Sequence, residues 1–270
     1  MAVATLEQPT APAGAPAVAW KLWLYTNYDC NLTCKYCCAR SGPNVPRRAL
    51  PPPIIHQLVQ EAATLRFEHV FLTGGEPFLL PDIYETLAYC SARLPTTVLT
   101  NATLLHHRRL EQLDAIRNGQ LIIQVSLDGA DAATHDAYRG RGTWARTVAG
   151  IRLLLEHGYR VRIGTTETPA NAPHLPELRA FLRDLGIRAE DHFVRPLARR
   201  GFSREGLELT LDDLVPELTV NVDGVYWHPL STDQDMLISK ALLPLAASVD
   251  RVYAMLADPR RSRRPRGTFT

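Results

Sequence analysis

Apolar and polar residues alternate through residues 21–27 (KLWLYTN), the period expected of a strand. Residues 52–65 instead repeat their apolar positions at helical spacing, directly after the prolines at 51–53. A second strand is predicted at 69–73 (HVFLT) and is broken by Gly74 and Gly75; Pro81 then suits the first turn of a helix running to about residue 94. The same alternation continues: strand 97–100, helix 106–118 closed by Asn118 and Gly119, and a nearly all-apolar strand 121–127 (LIIQVSL) of the kind buried on both faces. Helix 144–157 ends at Gly158, strand 160–166 follows, and helix 173–185 leads to a sixth strand at 192–195.

Six strands separated by helices imply repeated βαβ units and a parallel sheet. Right-handed crossovers curl such a sheet into a partial (β/α)6 barrel, TIM-like, with its helices outside. The fold class is therefore α/β, and chemistry is expected at the carboxyl ends of the strands. The residues just past those ends are the loop after residue 29, the Gly74–Gly75 turn, Asn101, and Ser126 to Asp128. Beyond about residue 196 the pattern changes: 217–223 and 224–228 read as a hairpin about Asp223 and Gly224, and 238–256 as a helix. The expected organisation is a tail at 1–18, a core at 19–195, a small α+β extension at 196–257 and a basic tail at 258–270.

Composition narrows the function classes. The 270 residues carry a net charge of +2, too little to point to nucleic acid or to an acidic ligand. No run approaches the roughly 20 apolar residues of a membrane span. The Ala- and Pro-rich first 18 residues lack the pattern of a signal peptide and read as disordered, as does the basic tail. Of five cysteines, Cys30, Cys34 and Cys37 fall within eight residues, followed at once by Cys38, with Cys90 far away. That clustering suits a metal site in a reducing cytoplasm better than a secreted disulfide framework.

The segment CNLTCKYCC, residues 30–38, gives the spacing Cys-x3-Cys-x2-Cys. Three thiolates in so short a loop suit a [4Fe–4S] cubane whose fourth iron is left for the amine and carboxylate of a small molecule. Zinc is the alternative, with Cys38 or His56 as fourth ligand.

Cys-x3-Cys-x2-Cys with Tyr36 before the last cysteine resembles the signature of the radical S-adenosylmethionine superfamily. Three further motifs resemble that family in the expected order. They are TGGEP at 73–77 (with Gly74, Gly75, Glu76 and Pro77), Thr100–Asn101 ending the third strand, and SLDG at 126–129 with Ser126 and Asp128. Residues 138–144 (YRGRGTW, with Arg139), and Thr165, Thr166 and Asn171, match more loosely. The resemblance covers about residues 20–195. It implies one [4Fe–4S] cluster on Cys30, Cys34 and Cys37, with S-adenosylmethionine contacted by Tyr36, Gly74 to Pro77, Thr100, Asn101, Ser126, Asp128 and Arg139. It further implies reductive cleavage to a 5′-deoxyadenosyl radical, hydrogen abstraction from a substrate, and a ferredoxin- or flavodoxin-like electron donor. The glycines are expected to let the cofactor approach the backbone.

Several residues keep two readings. Glu76 serves the cofactor amine or caps the following turn; Asp128 is a ligand or a turn residue; Arg139 and Arg141 bind an anion or face solvent. Cys38 is a buried neighbour or a hydrogen-atom donor, Cys90 is core, and Trp23 and Tyr25 are expected in the core. The stretch 193–230 resembles the start of the SPASM or twitch extension, where a DGxVYxCP hairpin supplies a cysteine to an auxiliary cluster. Here His228 stands in that place, no cysteine follows Cys90, and His228 is expected at the surface. Auxiliary clusters on the extension are therefore not expected, and redox-neutral chemistry on a peptide or small-molecule natural product is. A peptide substrate would call for presentation by a separate recognition protein or by the C-terminal region. A catalytically silent iron–sulfur scaffold or partner subunit and a zinc-binding interaction module are the rival classes.

Overall fold

A computed structural model describes residues 18–210 and 213–258. The expected tails at 1–18 and 258–270 lie almost wholly outside these residues. One nine-stranded sheet runs through the chain in the order β6-β5-β4-β3-β2-β1-β7-β8-β9. Strands β1 (Lys21–Asn27), β2 (His69–Gly74), β3 (Thr96–Thr100), β4 (Leu121–Ser126), β5 (Val161–Glu167) and β6 (His192–Pro196) pair in parallel, each with its successor. The parallel α/β sheet is thus as expected, and it stays open because, among the described residues, β6 pairs only with β5. On its other side β1 takes β7 (Leu218–Asn221), in parallel. Strand β8 (Gly224–Tyr226) returns antiparallel from β7, and β9 (Leu237–Ser239) lies antiparallel beyond it.

The strand residues sort by face. Leu22, Leu24, Val70, Leu72, Val98, Ile123, Val125 and Ile163 point to the helical side and are fully buried in the core. Helix α1 (Pro52–Thr64) has Pro52 and Pro53 in its first turn, where proline costs no hydrogen bond. It buries Ile55, Leu58, Val59 and Ala62 at the spacing of one helical stripe. Helices α2 (Ile83–Ser91), α3 (His107–Ala115), α5 (Thr143–Glu156) and α6 (Leu175–Asp184) cover the same side in the same way. Truncating one such leucine to alanine is expected to cost about 2–5 kcal/mol. Residues Trp23, Tyr25, Phe71, Thr73, Gln124, Ser126, Arg162, Gly164, Phe193 and Arg195 alternate with this set and line a cavity on the concave side.

Two elements depart from expectation. Helix α4 (Ala132–Arg139) lies in a stretch for which the sequence predicts no element; Asp131 accepts a hydrogen bond from Thr134 N at 2.9 Å and caps it. The region predicted as one helix from 238 divides into β9 and α7 (Leu245–Leu256), because Pro244 immediately before α7 cannot continue a helix through its own position. The hairpin is where the Asp223–Gly224 signal put it: Asn221 Oδ1 accepts from Asp223 N at 2.7 Å and from Gly224 N at 3.0 Å. Among the described residues no helix is long and apolar enough to cross a membrane.

Candidate active site

The cysteine loop leaves the end of β1 and is held by backbone bonds from several directions. Cys30 N donates to Gly42 O at 3.3 Å, and Lys35 N to Tyr138 O at 2.8 Å. The segment after β6 closes over it: Phe202 N donates to Cys37 O at 3.0 Å. Gly201, at φ +61°, lies so close that a Cβ would sit 2.2 Å from the same carbonyl. Cys30, Cys34 and Cys37 are free thiols, partly exposed, and all three line the cavity. Backbone amides already aim at two of the sulfurs, Leu32 N at Cys30 Sγ and Ser41 N at Cys37 Sγ, each at 3.4 Å. Burial pushes the Cys30 thiol up to about 12 and the Cys34 thiol up to about 11. Ionising both requires positive charge at the site, which a metal cluster brings.

Among the described residues no group of His, Cys, Asp or Glu converges as a single metal ion requires. A cubane takes its thiolates one per iron, spread over a larger body. Three partly exposed sulfurs, amides aimed at two of them and an adjoining cavity of about 610 Å³ fit a [4Fe–4S] cluster with a small-molecule ligand beside it. The volume alone falls in the range of ordinary small-molecule sites.

The glycine turn reaches the cavity too, and its glycines also have a packing role of their own. Gly74 has φ +129°, and a Cβ there would meet Asn27 O at 2.4 Å; one on Gly75 would meet Asp29 O at 2.0 Å. The β2 turn is pressed against the end of β1, with Gly75 N donating to Asn27 O at 2.7 Å and Glu76 N to Asp29 O at 3.0 Å. Removing the side chains therefore lets two backbones meet just before Cys30, whatever else approaches them.

Glu76 is almost fully buried. Its carboxylate accepts from Phe78 N (3.1 Å), Thr100 Oγ1 (2.8 Å) and Asn101 N (2.9 Å). It caps the short 3-10 turn at 77–79 and ties the end of β2 to the end of β3. Burial raises it to about 6 despite those donors. Asn101 carries the chain of contacts on to the cysteine loop, donating to Asn31 Oδ1 at 2.9 Å and lying 4.0 Å from Cys30 Sγ. Ser126 lines the cavity, its hydroxyl without a hydrogen-bond partner among the described residues.

Asp128 is likewise a brace. One carboxylate oxygen accepts from the Tyr36 hydroxyl and from Arg139 Nε, the latter at 2.6 Å; the other accepts from Thr166 N at 2.9 Å. Asn171 donates to its carbonyl at 2.8 Å. Arg139 is buried and borders the cavity, with its guanidinium 5.4 Å from the Tyr36 ring centroid. Burial alone would lower its pKa, but Asp128, Tyr36 and Cys34 together hold it well above the usual value.

The inner face of the sheet was not read from the sequence as part of the site. Trp23 stacks on Phe71 with ring centroids 4.0 Å apart, and Tyr25 OH donates to Pro229 O at 2.6 Å beside Cys38 Sγ at 3.7 Å. Both aromatic residues are buried, as expected, but they form cavity wall. His228, expected at the surface, is buried and lines the same cavity, its Nδ1 accepting from Leu230 N at 3.0 Å. Its place just beyond β8, which pairs with β7 beside β1, carries it inside. Burial, then Arg195 and Lys21, drive its pKa down to about 3. The available signal was a polar residue at an alternate position of an otherwise apolar strand, as at Arg162 and Thr166 or at Arg195.

Comparison with known proteins agrees with this geometry. The AdoMet-dependent heme synthase of Methanosarcina barkeri is 33% identical over 186 residues, covering 68% of this chain and 52% of that protein. The antilisterial bacteriocin subtilosin biosynthesis protein AlbA of Bacillus subtilis is 35% identical over 168 residues, 60% of this chain and 36% of that protein. The chain thus spans about half the length, or less, of these relatives. Among solved structures, Streptococcus suis SuiB bound to S-adenosylmethionine superposes with a TM-score of 0.61 at 23% identity, over 73% of this chain and 45% of that one, and shares the fold. The sequence model of the radical SAM superfamily matches residues 24–173, more than half of the chain and the whole of the cysteine, glycine, asparagine and serine motifs. The chain belongs to the radical SAM superfamily, whose members use a [4Fe–4S] cluster and S-adenosylmethionine.

Proposed function

We propose that this chain is a radical SAM enzyme that abstracts a hydrogen atom from a peptide or small-molecule natural product held in the cavity within the open sheet. One observation carries the reading: Cys30, Cys34, Cys37, Gly75, Asn101 and Ser126 all border a single cavity at the carboxyl ends of β1 to β4. Cys30, Cys34 and Cys37 would hold the cluster. Tyr36, Gly74, Gly75, Glu76, Pro77, Thr100, Asn101, Ser126, Asp128 and Arg139 would form and support the seat of S-adenosylmethionine, with Glu76 and Asp128 fixing the strand ends. When bound, cluster and cofactor together supply reductive carbon–sulfur cleavage and a primary carbon radical able to take hydrogen from unactivated positions.

The residues of the chain do the rest: they seat the substrate, exclude water through Trp23, Phe71 and the loop after β6, and keep the acceptor position dry. A peptide substrate is supported by SuiB, which has been solved bound to its precursor peptide SuiA, and by the maturase and bacteriocin-biosynthesis relatives. The segment from β7 to β9 contributes no thiolate, which supports redox-neutral conversion. A ferredoxin- or flavodoxin-like donor and a cytoplasmic setting complete the proposal. The test is anaerobic reconstitution with iron and sulfide, reduction, and assay of 5′-deoxyadenosine. The wild type should be brown and form it, and Cys34→Ala should lose both properties. Undiminished formation by Cys34→Ala overturns the assignment, and a brown wild type forming none would be an iron–sulfur scaffold.

A further inference from the structure

Five cationic side chains border the cavity: Lys21, Arg139, Arg162, Arg195 and Arg200. Three are already matched. Lys21 Nζ lies 2.7 Å from Glu217, Arg139 Nε lies 2.6 Å from Asp128, and Arg200 lies 2.7 Å from Asp235. Among the described residues the side chains of Arg162 and Arg195 have neither an ion-pair nor a hydrogen-bond partner. Glu217 and Arg195 feel each other's charge, but that carboxylate is occupied by Lys21 and by the Trp23 indole. Glu76 is occupied by Phe78, Thr100 and Asn101, and Glu68, the third carboxylate on the cavity wall, pairs with neither arginine.

The two unmatched arginines are arranged about one ring. The Arg195 guanidinium lies 4.7 Å from the Phe193 ring centroid and that of Arg162 lies 5.3 Å from it. The ring can lie there because position 164 is glycine: a Cβ would stand 3.1 Å from Phe193 Cζ and 3.4 Å from Gln124 Nε2. Gly164 thus makes room for Phe193, and Phe193 supports both cations through its π face. Both arginines are half-buried, and a guanidinium partly withdrawn from water with no counter-charge is unfavourable. Its planar fork of donors is matched by a carboxylate, which takes two hydrogen bonds from it in parallel.

We propose that Arg162 and Arg195, set about Phe193, form the subsite for a carboxylate of the substrate. This rests on the reading of the cavity as the substrate chamber. The carboxylate is a peptide C-terminus, an acidic side chain or a free organic acid; all share the chemistry that the arginines recognise. The substrate would enter with that group toward β5 and β6, presenting its neighbouring carbons toward the cysteine loop.

The test is a binding measurement on the reconstituted holoprotein, with benzoate as the probe, benzamide as its uncharged counterpart and inorganic phosphate as the competing anion. Saturation-transfer NMR or calorimetry should give saturable benzoate binding, undisturbed by saturating S-adenosylmethionine. Benzamide and phosphate should bind at least about tenfold more weakly, and Arg195→Gln and Arg162→Gln should each weaken benzoate about tenfold or more, with Arg195→Lys in between. Near-ultraviolet circular dichroism and iron content matching the wild type establish that the variants are folded. Competition of benzoate with S-adenosylmethionine would assign the arginines to the cofactor and overturn the proposal. Equal binding of benzamide or phosphate, or unchanged benzoate binding in both glutamine variants, would overturn it as well. The measurement needs no turnover, so a protein that binds benzoate as described but forms no 5′-deoxyadenosine would refute the enzymatic reading and leave the subsite standing. To separate the carboxylate sources, free-acid and C-terminally amidated forms of one short acetylated peptide, with and without a glutamate, are compared on the same arginine variants.

Discussion

Arg139 and Asp128 form a buried ion pair that joins the end of α4 to the end of β4, Nε to Oδ2 at 2.6 Å, with side chains 10% and 2% exposed. The same carboxylate takes the Tyr36 hydroxyl of the cysteine loop and the Thr166 amide of β5. One acidic group therefore sets the relative positions of four segments. Removing one member of a buried pair leaves the other charge uncompensated, at a cost of about 3–5 kcal/mol. Asp128→Ala should lower stability by that amount in denaturant unfolding, and the holoprotein should bind S-adenosylmethionine more weakly. A loss of under about 1 kcal/mol, the scale of an exposed pair, would show that the pair braces nothing.

Gly75 and Gly119 make a controlled comparison. A Cβ on Gly75 would stand 2.0 Å from Asp29 O, a contact that only backbone movement can relieve, whereas one on Gly119 meets nothing within 4 Å. Asp29 immediately precedes Cys30. Gly75→Ala should thus lower both thermal stability and iron content after reconstitution, although residue 75 is no cluster ligand. Gly119→Ala should stay within about 0.5 kcal/mol of the wild type with full iron content. Iron retention by Gly75→Ala equal to that of Gly119→Ala would show that the crowding is absorbed without moving the loop.

Five cysteines fall into two classes that iron analysis separates. Cys30, Cys34, Cys37 and Cys38 all border the cavity, but Cys38 sits 3.7 Å from the Tyr25 hydroxyl, and Cys90 is fully buried in α2. One cubane corresponds to about four irons per chain. Reconstituted wild type, Cys38→Ala and Cys90→Ala should all hold about that number, and alanine at 30, 34 or 37 should abolish it. Stoichiometric zinc in a colourless wild-type protein, or a second cluster's worth of iron, would refute the single-cluster assignment.

The parts of this fold visible in the sequence are those governed by local rules. Strand alternation, the proline entry to α1, the hairpin at Asp223–Gly224 and the spacing of Cys30, Cys34 and Cys37 each depend on residues a few positions apart. What escaped depends on partners distant in sequence. Glu76 and Asp128 resemble cofactor ligands in sequence, and that they also brace the strand ends shows only when Asn101, Thr166 and Arg139 come to them. Gly75 looks in sequence like room for a ligand, and the structure shows that it is also room for Asp29. His228 looked exposed because its hairpin had no visible neighbour; β7 pairing with β1 supplies one. Arg162 and Arg195 stand out only once β5 and β6 are known to turn those positions inward.

Acid should destabilise this protein through its buried histidines. Burial is the first cause in each case: it drives His228 to about 3, and His69 and His135 to about 4, from an ordinary value of 6.5. Below about pH 6.5 the unfolded chain binds protons at these positions that the native protein refuses, so stability falls as pH falls, until the native pKa values are reached. Glu76 opposes this between about 6 and 4.5, since its raised pKa lets the native state take up a proton first, but it is one group against four, burial lowering His192 as well. Each histidine contributes a slope of at most about 1.4 kcal/mol per pH unit. His228→Asn keeps an acceptor near the position of Nδ1 for Leu230 N and removes the titration. Its melting temperature should therefore decline less steeply than that of the wild type between pH 6.5 and 4, with the two curves converging in slope above pH 7. Parallel curves across the acid range would mean that His228 is protonated in the native protein, and hence that water or an anion reaches it in the cavity.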